Sequence, residues 1–221
     1  MYVITDLTQF SKDGRVCMAA VNTETGRCIR PMPYLNQDNC RENRILPGSI
    51  ISGDFESVPV IEPHIEDVRY GNLQHLGPCD ALTFKKLLDL TRSNDLASGF
   101  DGPIDKKLNP ESLPAKRSLI TYKAGSVELV ADGYKAGKLR VHFDGQSFVP
   151  VNDLGYVLDY GSRPNPDTIR LYNQFLKSQK EIYLRIGLTR IHGTEPRRGY
   201  WLQVNGVYTF PKRNSEVRRY V

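Results

Sequence analysis

The amino-acid sequence predicts a mainly β protein with two or more helices, organised as two small barrels in one chain. Short apolar segments bounded by turn residues form two groups, one in each half of the chain. Five such segments within about 70 residues are typical of a small barrel or sandwich. A segment with helical spacing of its apolar residues accompanies each group. This strand, helix, strand, helix order indicates two halves of similar design.

Five strands are predicted in the first half, each ending where Gly, Pro or polar residues cluster. The second is apolar on both faces, which is typical of a strand buried on both sides. Gly26 lies in the turn that follows it and supplies a backbone conformation that other residues resist. A helix is predicted over about 79–92, with Asp80 as its N-cap. The strands are predicted at 2–7, 15–21, 27–30, 49–55 and 65–70.

The second half begins after a stretch of different composition. Residues 93–117 are rich in Ser, Asn, Asp, Gly and Pro and lack periodicity, which is typical of a linker. Asn165 and Pro166 are a good N-cap and first-turn pair for a second helix that reaches about Ser178. Strands are predicted at 119–122, 127–131, 139–143, 148–151, 182–188, 200–204 and 207–210. The predicted units are a first barrel with its helix at 1–95, a linker or long loop at 96–116, and a second barrel with a helix and a basic tail at 117–221.

Alternation is most regular in the last third of the chain. Apolar residues occupy every second position of 182–188 and of 200–204. Successive side chains of a strand point to opposite faces. If each strand turns its aliphatic residues to the core, one outer side is shared by Tyr183, Arg185, Trp201 and Gln203. The pair Asn205-Gly206 predicts a turn or a bulge between the last two segments.

Positive charge is concentrated at the C-terminal end. Residues 180–221 hold nine basic and three acidic residues, a net charge of +6, whereas the whole chain is +5 and residues 1–179 are therefore −1. Aromatic residues lie among these cations. Cations that attract phosphates and rings that stack on bases are typical of proteins that bind nucleic acid. The basic residues in question are Lys180, Arg185, Arg190, Arg197, Arg198, Lys212, Arg213, Arg218 and Arg219.

Other classes of protein find little support in the sequence. No apolar run approaches the roughly 18 residues of a membrane span, no secretory signal is recognisable, and the four widely spaced cysteines favour a cytoplasmic protein with reduced thiols. Nucleotide-binding, hydrolase and metalloprotease motifs are absent, so no catalytic residue, metal ligand or cofactor is predicted. His64 and Glu66, with the later Pro78-Cys79, partly match a zinc deaminase signature, but Leu82 replaces its second cysteine.

Two segments resemble a known family. The first is VCMAAVNTETGRCIRPMP at 16–33; the second is LRIGLTR at 184–190 followed by YWLQVNGVYTFP at 200–211. In type and order they resemble a bacterial family described as dual-OB proteins, in which two OB-fold barrels are joined. The resemblance implies two OB-like barrels that bind nucleic acid or a nucleotide, in a mobile-element or defence context. By the same resemblance Arg30, Arg185 and Arg190 are candidate functional residues, and a protein partner encoded in the same operon is possible.

The function that the sequence favours is binding of nucleic acid, single-stranded or locally opened, or of a nucleotide. The alternatives are an enzyme on such substrates with an unrecognised site at the junction of the two halves, and a protein-interaction module of a defence complex. Metal-dependent turnover that is abolished by altering Asp144 or His142 would favour the enzyme. Individual residues also have plainer interpretations: Trp201 as core, Arg30 paired with Asp54 or Glu56, and the loop arginines solvated. The candidate binding residues are Arg30, Tyr183, Arg185, Arg190, Arg197, Arg198, Trp201 and Gln203.

Overall fold

A computed structural model of the chain describes residues 1–9, 14–112, 114–135, 137–156 and 165–212. The described residues are mainly β, as predicted. The predicted cations Arg213, Arg218 and Arg219 lie outside the described residues. The first half comprises β1 (Tyr2–Gln9), β2 (Arg15–Asn22), β3 (Cys28–Met32), β4 (Leu35–Asn36), α1 (Gln37–Glu42), β5 (Ser49–Ser57), β6 (Asp67–Pro78) and α2 (Ala81–Leu90).

The second half contains the longer sheet and two further helices. Its elements are β7 (Arg92–Ser93), α3 (Leu96–Phe100), β8 (Lys107–Leu108), β9 (Leu119–Ala124), β10 (Val127–Ala131), β11 (Leu139–Phe143), β12 (Gln146–Val151), α4 (Pro166–Lys177), β13 (Glu181–Leu188) and β14 (Tyr200–Phe210). Single 3₁₀ turns occur at Pro110–Ser112 and Leu154–Tyr156. All the predicted strands are present, and the last two predicted segments form one continuous strand, β14.

The first unit is a closed five-stranded barrel. Its strands pair in the order β1-β2-β3-β6-β5, and β5 pairs with β1 to close the barrel. The short strand β4 pairs with the start of β2. The pair β3 and β6 is parallel, whereas the other pairs are antiparallel. A closed barrel in which the third strand lies between the second and the fifth has the strand order of an OB-fold. Alternate aliphatic side chains, including Ile4, Leu7 and Ile29, fill its interior.

The second unit repeats this order. Its strands pair as β10-β11-β12-β14-β13-β9, with β12 and β14 parallel. Strands β9 and β10 lie far apart in this order but are consecutive in the chain, separated only by Gly125 and Ser126. One bent stretch therefore supplies strands on both sides of the sheet, and β7 pairs with β9 beyond it. Asp144 holds this corner, since its carboxylate accepts hydrogen bonds from the backbone N–H of Gly125 and Ser126, both at 2.8 Å, and from the Tyr122 hydroxyl at 2.7 Å. The carboxylate of Asp144 therefore has a structural role at this corner.

The two predicted helices and their caps are confirmed. Asp80 caps α2 by accepting from the Thr83 N–H at 2.8 Å, and Asn165 caps α4 by accepting from the Asp167 N–H at 2.9 Å. Side-chain acceptors satisfy N–H groups that a helix start leaves without intrahelical partners. No helix in the described part of the chain has the length and apolar character needed to cross a bilayer.

The segment predicted as a linker packs against the second unit. It forms α3 and β8, and β8 pairs with the start of β14. Its side chains Phe100, Leu108 and Ala115 are buried in the core of the second unit. The described residues of this segment therefore pack as part of the second unit, although the predicted unit boundaries themselves stay a prediction.

A third apolar cluster joins the two units. The first unit supplies Val3 and Val21, and the second supplies Tyr183, Tyr208 and Phe210. Helix α2 lies between them and contributes its buried side. Burial of this apolar surface contributes about 25 cal/mol per Å² to the association of the units. The joint therefore covers one part of the second unit's outer wall.

Candidate nucleic-acid interface

The outer side that was predicted to carry Tyr183, Arg185, Trp201 and Gln203 is divided into a buried part and an open part. Tyr183 is fully buried at the joint between the units, so its prediction as an exposed stacking residue is wrong. Its hydroxyl donates to Asp89 of α2, and its ring lies edge-on to Phe210 with centroids 5.7 Å apart. The physical reason is that α2 and the first barrel cover this half of β13 and β14.

Arg185 is also buried, with 1% of the residue exposed, so its prediction as a phosphate contact is wrong. Its Nε donates to Asp6 Oδ2 of the first barrel at 2.8 Å, and Nη1 donates to Thr121 Oγ1 at 2.9 Å. Burial alone would lower the pKa of the guanidinium, but Asp6 and Cys28 reverse this and raise the pKa above its ordinary value. The residue therefore ties the two barrels together and stays charged.

Arg30 has a similar structural position, and its prediction as an exposed binding residue is wrong. It is buried, and its Nε donates to Asp67 Oδ1 at 2.6 Å, not to Asp54 or Glu56. Its Nη1 donates to Ser118 Oγ of the second unit at 3.1 Å. Arg190, which is partly exposed, donates to the other oxygen of Asp67.

Glu66 completes the polar contacts across the joint. Its carboxylate accepts hydrogen bonds from the Ser118 N–H at 2.9 Å, the Ser118 hydroxyl at 2.7 Å and the Leu119 N–H at 3.0 Å. Buried charges of this kind are stable only when they are paired and hydrogen-bonded. We call this set of contacts the polar seam; its members are Asp6, Arg30, Glu66, Asp67, Ser118 and Arg185.

His64 lies buried beside the polar seam, with its ring 5.9 Å from that of Tyr200. Burial, and then the charges of Arg30 and Arg190, lower the pKa of its imidazole from 6.5 to about 3, against the opposing effect of Asp67. The folded protein therefore keeps His64 neutral, whereas the unfolded chain takes up a proton near the ordinary value. The free energy of unfolding should fall as the pH drops below about 6.5.

As the pH falls from about 7.5 to about 5, protonation of His64 in the unfolded chain should lower the free energy of unfolding by about 2 kcal/mol. Replacement by leucine should remove that part of the acid sensitivity, because leucine does not titrate. Urea unfolding at a series of pH values measures the effect. His75→Gln, at an exposed position of β6, serves as the matched control. Parallel pH profiles for the wild type and His64→Leu would contradict the expectation.

Trp201 and Gln203 lie on the open part of the same wall. Both are partly exposed. Gln203 Oε1 accepts from Asn152 Nδ2 at 2.6 Å, so Gln203 and Asn152 lie on the same side of the sheet. The predicted bulge is confirmed: Arg185 pairs with Gly206 and the next residue of β13 pairs with Val204, so Asn205 is the extra residue. The bulge separates the covered half of β14 from the open half.

A neighbouring part of this side carries residues that the sequence interpretation did not select. Phe148 is 55% exposed and has a φ of 54°, a left-handed conformation that bulky residues rarely adopt. It lies in a bulge, where the register moves from Val141 with Val149 to Phe143 with Gln146. Bulges of this kind redirect side chains and occur often at functional sites.

Two further side chains support Phe148. The His142 ring packs edge-on against the Phe148 ring, with centroids 4.5 Å apart, and Arg140 Nη1 donates to the Phe148 carbonyl at 2.7 Å. Arg140 also pairs with Asp132 at 3.0 Å. The alternation of β11 indicated that Arg140 and His142 point outward, but nothing in the sequence revealed the bulge. We call this surface the outer face; its members are Arg140, His142, Phe148, Pro150, Trp201 and Gln203.

Two loops adjoin the outer face. The loop between β10 and β11 contains Tyr134, which is 93% exposed, and Lys135. The loop between β13 and β14 contains Arg197 and Arg198, both exposed and without an ion pair to any described residue, and it leads directly into Trp201. These loops lead into β11 and β14, the strands that carry Arg140, His142, Trp201 and Gln203.

The charge balance of this region is positive. Cations that contact the first unit are left aside in this count. The outer face, its two loops and the adjacent strand β10 then carry more cations than acidic residues. The acids are Glu128, Asp132 and Glu195, and the cations are Lys135, Lys138, Arg140, Arg197 and Arg198. Burial, and then the charge of Lys135, lower the pKa of Lys138, against the opposing effect of Asp132.

No metal centre is formed by the described residues, in which no group of three or more His, Cys, Asp or Glu side chains could hold an ion. The resemblance to dual-OB proteins stays a prediction. No protein-family model matches the sequence, and neither a curated protein nor a solved structure matches the chain.

Proposed function

We propose that the second barrel binds single-stranded nucleic acid on its outer face. One observation carries this proposal: an aromatic side chain, Phe148, is held exposed by a strained bulge beside Arg140, next to two loops that supply cations. Backbone strain of this kind costs about 1–3 kcal/mol, and strained residues cluster at ligand sites. A single strand fits this surface because its unstacked bases can lie on an exposed ring.

The binding contributions divide between rings and cations. Bases stack on Phe148, and on Trp201 at the start of β14, and each stacked base contributes about 1–3 kcal/mol. Phosphates lie against Arg197, Arg198 and Lys135, which have no competing carboxylate within ion-pair distance among the described residues. Such a surface favours neither a particular base nor a particular sugar, so both DNA and RNA strands are expected ligands.

Replacement of Phe148 by glycine tests the proposal without disturbing the fold. Glycine accepts the left-handed backbone of this position, so folding should be retained, whereas the stacking surface is lost. We expect affinity for a fluorescein-labelled oligothymidylate or oligouridylate to fall by about tenfold or more. Fluorescence anisotropy at low ionic strength measures it, with the thermal unfolding midpoint recorded in parallel.

Leu82→Ala on α2 is the matched control, because Leu82 is also a large exposed apolar side chain but lies away from the outer face. An equal loss in both variants would contradict a specific role of Phe148. If neither oligonucleotide binds the wild-type protein, the nucleic-acid proposal is wrong, and a cationic surface for an acidic protein partner becomes the better interpretation.

A further inference from the structure

A second candidate ligand site lies at the rim of the first barrel, apart from the outer face. It is an open pocket of about 430 Å³, lined by Met32, Pro33, Val58, Asp67, Arg69 and Tyr70. Its walls come from the end of β3, the residue after β5 and the start of β6. Pockets for small ligands and cofactors commonly have volumes of about 300–1,000 Å³. The pocket therefore has room for a ligand of nucleotide size.

Among the described residues, the lining combines apolar surface with one arginine, Arg69. Met32, Pro33, Val58 and the ring of Tyr70 provide flat and apolar contacts. Arg69 is exposed and forms no ion pair with any described residue. Glu56 is its cross-strand neighbour in register, but the two do not come within ion-pair distance. The Arg69 guanidinium is thus available to a ligand at the rim.

The carboxylate of Asp67 does not oppose an anion here. One of its oxygens accepts from Arg30 and the other accepts from Arg190 of the second unit. Both oxygens of Asp67 are therefore occupied by guanidinium groups, whereas Arg69 at the same rim has no ion pair with a described residue. A guanidinium group without an ion pair attracts phosphate even when it is partly solvated.

We propose that this rim pocket binds a nucleoside phosphate, with the base against Tyr70 and the apolar residues and the phosphate against Arg69. The inference does not depend on the outer face. The ligand has one chemistry but two sources, a free mononucleotide or the phosphorylated end of a strand that the protein holds. The link between Asp67 and Arg190 places the loop between β13 and β14 beside the pocket, so a strand on the second barrel could reach it.

Isothermal titration calorimetry of the full chain with the four common ribonucleoside 5′-monophosphates tests the pocket. Arg69→Gln should weaken binding by about tenfold because it removes a charge-assisted contact. Tyr70→Leu should weaken it by about fivefold or more because it removes the stacking surface. Arg41→Gln is the matched control, since Arg41 is an exposed arginine of the same barrel on α1.

The two sources are separated by comparing oligonucleotides with and without a 5′-phosphate. If a 5′-phosphate raises the affinity for an oligonucleotide in the wild type but not in Arg69→Gln, the phosphorylated end of a strand is the ligand. If only mononucleotides bind, the free nucleotide is the ligand. The pocket proposal is overturned if no mononucleotide and no 5′-phosphate effect is detected, or if Arg69→Gln and Arg41→Gln behave alike. Loss of mononucleotide binding in Phe148→Gly, with Arg69→Gln unaffected, would also overturn it and would assign that ligand to the outer face.

Discussion

Replacement of Arg185 by methionine is expected to lower the free energy of unfolding by about 3–5 kcal/mol. Arg185 and Asp6 are both almost fully buried, and they pair across the joint at 2.8 Å. Removing the cation leaves a carboxylate in a low-dielectric site without its partner, which is far more costly than losing the pair as a whole. Guanidinium chloride unfolding followed by circular dichroism measures the change.

A double variant makes this prediction specific to the charge. Asp6→Leu combined with Arg185→Met should recover most of the stability that either single change removes, because replacement of a whole buried pair by apolar residues is often close to neutral. The surface pair Arg170 and Asp167 is the control, since both side chains are more than half exposed; Arg170→Met should change stability by less than about 1 kcal/mol. Additive effects of the two buried substitutions would show that the pair is not coupled.

A rise in salt from about 50 mM to about 200 mM is expected to weaken oligonucleotide binding by about 20-fold, if three cations of the second barrel each neutralise one phosphate. Release of counterions from a single strand gives a slope of about −0.7 per phosphate in a plot of log affinity against log salt. The three cations are Lys135, Arg197 and Arg198. Anisotropy titrations at several salt concentrations measure the slope.

The loop arginines allow a direct check on that slope. Arg197→Gln combined with Arg198→Gln should reduce its magnitude by about 1.4, because two phosphate contacts are removed. Arg41→Gln combined with Arg92→Gln removes two exposed charges from α1 and β7 and should leave the slope unchanged. A slope that is the same in both double variants would show that the loop between β13 and β14 does not contact the strand. It would leave the stacking role of Phe148 to be judged separately.

Much of the fold could be predicted because it depends on short-range patterns. The caps Asp80 and Asn165, the strand segments and the bulge near Asn205 all follow from neighbouring residues whose backbone preferences are local. The packing of residues 96–116 could not be predicted in this way. Its composition is that of a loop, and only contacts with distant strands bury Phe100 and Leu108.

The candidate site was predicted in part. Arg197, Arg198, Trp201 and Gln203 lie on or beside the open wall of the second barrel, and Arg190 stays partly exposed at the joint. The bulge that exposes Phe148 was missed. Its φ of 54° is not typical of phenylalanine, so no residue preference signals it.

Alternation along β13 and β14 determined, from the amino-acid sequence by itself, which side chains point away from the barrel interior. Only the tertiary structure decided that Tyr183 and Arg185 are covered by the first unit while Trp201 and Gln203 remain open. The reason is the range of the interactions involved. Alternation acts between adjacent residues, whereas the hydrogen bond from Arg185 to Asp6 joins positions 179 residues apart, and contacts at that separation leave no periodic signal in either segment.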